Sequence, residues 1–138
     1  MKRLLLACYW MGIVADAIAT VLLLWPAAGN AVLQPQPFEA SAMYLYVTRV
    51  AGGLMLGWTV LLVWALRQPI ARADVLLMTL CPVIAVLAVA AVLVVKSGQV
   101  ALASMLPMFV FYAVAAILFV PSYRWAKWQR GDLREVPR

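Results

Sequence analysis

Two charged residues, Asp16 and Arg49, interrupt long apolar stretches of this sequence and are its best candidates for chemistry. A charge in the hydrocarbon core of a membrane costs about 2.5 to 3.5 kcal/mol on the most lenient scale, so an acid and a base there normally pair or line a polar cavity. A carboxyl group can take a proton or accept a hydrogen bond, and a guanidinium can be its counter-ion. The two residues therefore predict a binding or proton-accepting site.

The segments that carry these residues are apolar enough to cross a membrane. The chain is 67% hydrophobic and 12% charged, and it contains no histidine. Runs of about 20 apolar residues span a bilayer, and such a run satisfies its backbone hydrogen bonds as a helix. We predict an all-α membrane protein with four transmembrane helices in an antiparallel up-down bundle, over about residues 4–25, 44–66, 75–95 and 100–120. Pro82 and Pro107 predict kinks in the last two.

The basic residues indicate the orientation of the chain, because cytoplasmic flanks retain Lys and Arg. They precede the first predicted helix, separate the second from the third and follow the fourth, whereas Lys96 alone lies on the other side. We expect both termini to be cytoplasmic, in a bacterial inner membrane. The residues that indicate this are Lys2, Arg3, Arg67, Arg72, Arg124, Lys127, Arg130, Arg134 and Arg138.

The predicted domains are a transmembrane domain, residues 1–121, and a basic, aromatic tail, residues 122–138. Tyr123, Trp125 and Trp128 suit the headgroup level of a membrane, and the basic residues among them attract anionic lipid. The alternative is an ordinary aromatic anchor with charges that fix the orientation. No soluble domain presents the net charge of +6 to a nucleic acid, so we expect membrane lipids, and not nucleic acids, as partners.

Small residues at spacing four predict a close seam between the first two helices. Placing the two charges opposite each other in an antiparallel hairpin also pairs Gly12 with Gly53 and Cys8 with Gly57. Gly53 and Gly57 form the GxxxG pattern that lets membrane helices approach closely. The seam therefore predicts both the register of the hairpin and the place of its polar site.

Several interpretations of the charged pair are open. Arg49 can extend to the carboxylate of Asp16, or it can turn toward the outer face and leave Asp16 protonated. The pair can also fix the register of two helices without any chemistry. In the functional interpretation, Asp16 is a ligand or proton acceptor in a polar pocket and Arg49 is its counter-ion. The other candidate lining residues are Thr20, Tyr46, Thr48 and Tyr112.

The connection from Pro26 to Met43 contains three prolines, several apolar residues and one charge, Glu39. This composition is too apolar for a free linker. We predict that it folds over the outer mouth of the bundle, where it could cover a pocket, while the alternative is a plain connection between two helices.

Residues for ordinary catalytic and metal sites are scarce. Cys8 and Cys81 lie toward the predicted cytoplasmic ends of their helices, in a reducing compartment, and are interpreted as apolar fillers in preference to a redox pair. Without histidine the chain has no usual zinc or haem ligand set, and it has no phosphate-binding loop, Ser-His-Asp set or paired carboxylates. We expect no cofactor, no metal and no catalytic centre.

Two short segments resemble known membrane families. GIVADAIAT, from Gly12 to Thr20, resembles the first helix of small multidrug resistance transporters, which implies that Asp16 stands at a carboxylate that binds protons and cationic drugs. RVAGGLMLGW, from Arg49 to Trp58, resembles the second helix of small four-helix bacterial membrane proteins of the DoxX-like kind. The second resemblance implies architecture more than function.

These observations together predict a small integral membrane protein without a catalytic centre of its own. We expect it to bind a lipid-like or other hydrophobic ligand, or a membrane partner, around Asp16 and Arg49. The alternative is a proton-coupled small-molecule transporter acting as a homo-oligomer, because four short helices enclose little pathway alone. A membrane enzyme or redox accessory that uses Cys8 and Cys81 is a third interpretation.

Overall fold

The computed structural model describes residues 1–25, 27–28, 41–98 and 100–132. No β-strand occurs in these ranges, and each of the four long helices is apolar enough to cross a membrane, which confirms the four predicted segments. The predicted cover over the bundle, with Glu39, and the tail beyond residue 132 lie outside the described residues. The helices are α1 (Lys2–Leu24), α2 (Ala42–Leu66), α3 (Asp74–Lys96) and α4 (Leu102–Asp132).

Most of the apolar surface of these helices faces outward. The most apolar windows of α1 to α4 are only 33%, 22%, 17% and 11% buried. Large side chains such as Trp10, Leu54 and Ile117 are more than half exposed. A protein in water rarely leaves so much apolar surface uncovered, whereas lipid tails solvate it well. The burial pattern therefore supports the membrane protein predicted from composition.

The chain forms two compact units, of which the first combines Met1–Tyr9 with Ala65–Arg138. Tyr9 is fully buried in this unit, and its hydroxyl donates to the backbone carbonyl of Arg72 at 2.9 Å and to that of Pro69 at 3.4 Å. The carbonyl group of Arg72 also accepts from the N–H of Val75 at 3.1 Å, so the hydroxyl of Tyr9 adds a contact distant in sequence to the turn between α2 and α3. The start of α1 thereby holds that turn in place.

A wide turn interrupts α3. Residues Asp74–Met78 and Ala85–Lys96 are α-helical, whereas Thr79–Ile84 is π-helical and contains Pro82. Proline has no N–H to donate and its ring crowds the carbonyl group four residues earlier, so a wider turn relieves the clash. The irregularity expected at Pro82 therefore takes the form of a π-helical turn.

The last helix is longer than predicted. Instead of ending at Val120, α4 continues through Pro121 to Asp132 as one helix. Ser122 and Ala126 are buried on the same face as Phe119, so packing continues past the end of the apolar stretch. The boundary predicted between residues 121 and 122 therefore falls inside a helix.

The second unit, Trp10–Trp64, contains the contact that fixes the register of α1 and α2. A Cβ atom at Gly52 would lie 2.8 Å from Cδ2 of Leu24 and 3.3 Å from Cβ of Leu23. Gly53 and Gly57 are exposed, and apart from the adjoining residues and backbone of α2 itself, no atom of the described residues lies within 4 Å of a Cβ built at either. The helices therefore meet at Gly52, and the seam predicted through Gly53 and Gly57 is wrong for the packing of α2 on α1.

Replacing Gly52 by Val is expected to lower the midpoint of thermal unfolding in detergent. The added methyl groups would overlap the two leucine side chains of α1, and overpacking of this kind costs about 1 to 3 kcal/mol. Gly53→Val is the matched control. It makes the same change in helix propensity, but at a position where the added side chain meets open space. Equal midpoints for the two variants would contradict this register.

Candidate functional site

Asp16 lies in the middle of the buried face of α1. Gly12 and Ile13, one turn earlier, and Thr20, one turn later, are buried, while Asp16 itself is half-buried. At 3.6 residues per turn these four positions share one face, and Ile18 lies on the opposite, exposed side. The stripe of α1 that was predicted to carry the site therefore faces inward.

The carboxyl group of Asp16 has an unmatched oxygen. Its Oδ2 atom is buried and has no hydrogen-bond partner among the described residues. The hydroxyl of Thr20 donates instead to the backbone carbonyl of Asp16, at 2.7 Å. A buried acceptor without a partner costs about 1 to 3 kcal/mol, and more if it is charged. A donor brought by another molecule, or a proton, would therefore stabilise this position.

Arg49 does not supply that donor. Its side chain is exposed, and within the described ranges the one ion pair joins Arg130 to Asp74. The paired arrangement of Asp16 and Arg49 is therefore wrong for this chain. Of the two placements predicted for Arg49, the structure has the one in which it is turned away from the carboxylate.

The register of the hairpin explains the separation of the two charges. Gly52 packs level with Leu23 and Leu24, so Arg49, which precedes it in α2, lies past the end of α1. Asp16 lies more than two turns before that end. At 1.5 Å per residue the two Cα positions are about 16 Å apart along the helix axes, which is farther than an arginine side chain reaches. The pairing predicted from the sequence would require α2 to be shifted along α1 by about ten residues from its observed position.

The other predicted lining residues have different surroundings. The Thr48 hydroxyl donates to a backbone carbonyl one turn earlier in α2, at 3.0 Å, and Tyr46 is 66% exposed. Neither supplies a hydrogen bond to the unmatched oxygen of Asp16. Tyr112 belongs to the first unit, where it is half-buried with its ring 6.1 Å from that of Phe111. Of the lining residues predicted within the second unit, only Thr20 is hydrogen-bonded to Asp16. Its hydroxyl donates to the backbone carbonyl of Asp16 and not to the carboxylate.

An apolar groove of about 300 Å³ lies on the outward side of α1, lined by Ala17, Ile18, Val21 and Leu22. Ile18 and Val21 are each 57% exposed and point roughly away from Asp16 around the helix. The groove and the carboxylate therefore occupy opposite sides of α1 and do not form one site.

Both cysteines are free thiols in the first unit. Cys8 is buried on α1, with its Sγ atom 3.3 Å from Oγ of Ser122 and 3.6 Å from the carbonyl oxygen of Leu118, while Cys81 is exposed. Cys8 thus packs against α4 and is not bonded to Cys81. In the part of the chain that the structure describes, no three His, Cys, Asp or Glu residues come together as a metal site.

Two polar contacts of the first unit have no counterpart among the sequence predictions. They are the hydroxyl bonds of Tyr9 to the turn before α3 and the ion pair of Asp74 with Arg130. Asp74 is the first residue of α3 and the one acidic residue that follows the basic residues Arg67 and Arg72, and that isolation is a usable signal. Nothing comparable marks Tyr9, whose partners are backbone carbonyl groups.

Because the two charges are separated, we expect them to contribute independently to stability. In a double-mutant cycle with Asp16→Asn and Arg49→Gln, measured by unfolding in detergent, the coupling free energy should lie within about 0.5 kcal/mol of zero. A paired acid and base would instead show coupling of about 0.5 to 3 kcal/mol, because each single change leaves an ion without its partner. A coupling free energy in that range would show that Asp16 and Arg49 interact, as the sequence predicts.

The chain matches no protein-family model, none of the curated proteins and none of the solved structures. The resemblances of its first two helices to small multidrug resistance transporters and to DoxX-like proteins stay predictions.

Proposed function

We propose that this chain is a small integral membrane protein that binds a hydrophobic ligand, or a membrane partner, through the carboxyl group of Asp16. The observation that carries the proposal is the buried Oδ2 atom, which has no donor among the described residues. A group that faces inward and is left unmatched is stabilised by any molecule that brings a donor to it. Arg49 has no part in this site.

The chemistry of the site defines the ligand class. An ionised carboxylate only accepts hydrogen bonds, so the ligand must present an N–H or O–H group. The surrounding helix face is formed by Gly12, Ile13 and Thr20, so the remainder of the ligand must be apolar. The hydroxyl hydrogen of Thr20 is already donated to the backbone, which leaves the carboxylate as the group that recognises the ligand. An amphiphile with an ammonium group meets these requirements.

We also propose the orientation that the basic residues predict, with both termini on the cytoplasmic side of a bacterial inner membrane and the helices running up and down. The support is the concentration of Lys and Arg before α1, between α2 and α3, and in the last turns of α4.

Titration with dodecylamine, followed by native mass spectrometry in a non-ionic detergent, tests the ligand proposal. A charge-assisted hydrogen bond contributes about 1.5 to 3 kcal/mol, so Asp16→Asn should weaken binding of the amine at least about tenfold. Arg49→Gln is the matched control and should bind as the unmodified chain does. Equal binding by Asp16→Asn, or none by the unmodified chain, would remove an amine from consideration.

A second candidate function is proton-coupled transport by a homo-oligomer. It is favoured by the separation of Arg49 from Asp16, because no cation among the described residues is paired with the carboxyl group in its charged form and a proton can serve as the missing partner. On this proposal the proton and the transported molecule would use the carboxyl group in turn.

Proton entry into vesicles of phosphatidylcholine and phosphatidylglycerol that contain the protein and an internal pH dye tests this candidate. A proton gradient should drive entry with the unmodified chain and with Asp16→Glu, but not with Asp16→Asn, because only a carboxyl group exchanges a proton. Equal proton entry with Asp16→Asn, inserted to the same extent, would exclude the transporter.

A further inference from the structure

A second polar site lies in the first unit, where α4 passes the start of α3. A cavity of about 320 Å³ is lined by Asp74 from α3 and by Tyr123, Lys127, Arg130 and Gly131 from α4. It shares no residue with the Asp16 site. The cavity is open and its lining carries two basic groups and one acidic group.

Arg130 is fixed in this cavity by Asp74. Its Nη1 and Nη2 atoms donate to the two carboxylate oxygens at 2.7 and 2.9 Å, and Nη1 also donates to the carbonyl oxygen of Ala71 at 3.3 Å. A guanidinium has five N–H groups, so Nε and one hydrogen of Nη2 are left without a partner among the described residues. Asp74 thereby orients Arg130 and neutralises its charge, while part of its donor set stays available.

Lys127 supplies the charge that is not neutralised. Its side chain is exposed, and it forms no ion pair with any residue in the described ranges. With Arg130 and Asp74 cancelling, the described lining residues carry one net positive charge. An ammonium group beside a fixed guanidinium is a set of donors that suits a phosphate group, whereas the hydroxyl of Tyr123 donates to Asp74.

The position of the cavity along α4 indicates where the phosphate comes from. The helix has 31 residues and is about 46 Å long, whereas the hydrocarbon core of a bilayer is about 30 Å thick. The last turns, where the cavity lies, therefore extend beyond the apolar part. Trp128 is 62% exposed beside it, and Trp125 is half-buried, as aromatic side chains are at the headgroup level.

We propose that this cavity binds the phosphate of an anionic membrane lipid. Lys127 provides the charge and Arg130 provides directed donors, while Asp74 acts as a positioning residue that holds Arg130 and itself accepts a hydrogen bond from the hydroxyl of Tyr123. The lipid chains would lie along the apolar surface that precedes the cavity in α4. This proposal does not rest on the function proposed for Asp16.

The test compares Lys127→Gln with Arg124→Gln. Both variants remove one exposed positive charge from the same part of α4, but Arg124 does not line the cavity. Protein in non-ionic detergent is titrated with phosphatidylglycerol, phosphatidylcholine or inorganic phosphate, and bound molecules are counted by native mass spectrometry. The unmodified chain should bind one phosphatidylglycerol in preference to phosphatidylcholine, and Lys127→Gln should reduce that binding about fivefold.

Arg124→Gln and Asp16→Asn should bind phosphatidylglycerol as the unmodified chain does, and inorganic phosphate should not compete at equal concentration. Equal losses in Lys127→Gln and Arg124→Gln would show diffuse surface attraction and overturn the site. Effective competition by inorganic phosphate would overturn the lipid as its source. Thermal unfolding midpoints, measured in parallel, separate a folding defect from a loss of binding.

Discussion

The close approach of α1 and α2 at Gly52 is the contact on which the polar groups of the second unit depend. A residue without a side chain lets Leu23 and Leu24 lie against α2, and this fixes how far α2 extends past the end of α1. The offset carries Arg49 beyond that end and leaves Asp16 among inward-facing residues. A contact between apolar atoms thus decides which charges can meet, because electrostatic attraction cannot shift two packed helices by several turns.

Helix positions could be predicted from the sequence because length and hydropathy are local properties of a segment. The predicted ends of α1, α2 and α3 lie within two residues of the observed ones. The end of α4 could not be predicted in the same way. Its last turns are polar, and they stay helical because Ser122 and Ala126 are buried against other parts of the first unit, which hydropathy does not reveal.

The seam predicted between α1 and α2 lies on the inward face of α1 but uses the wrong glycines of α2, and the difference has a physical reason. On α1, the spacing of Cys8, Gly12 and Asp16 identifies an inward face, because burial of one face repeats with the period of the helix. On α2, Gly52 and Gly53 are neighbours that point about 100° apart, so choosing between them rotates the whole helix. The GxxxG pattern favours the second glycine, whereas packing against the leucines uses the first. The shapes of the packed side chains decide which glycine faces α1. The spacing of residues in the sequence does not reveal those shapes.

Tyr9 has a consequence for which parts of the chain depend on one another. Its hydroxyl is bonded to carbonyl groups of residues 69 and 72, so the turn that leads into α3 is completed by a residue made some sixty positions earlier. The same Arg72 carbonyl accepts from the N–H of Val75, so the turn combines a local backbone bond with a bond from the start of the chain. The start of the first helix therefore belongs to the same packed unit as residues far along the chain, and a change at Tyr9 would be felt in the turn before α3.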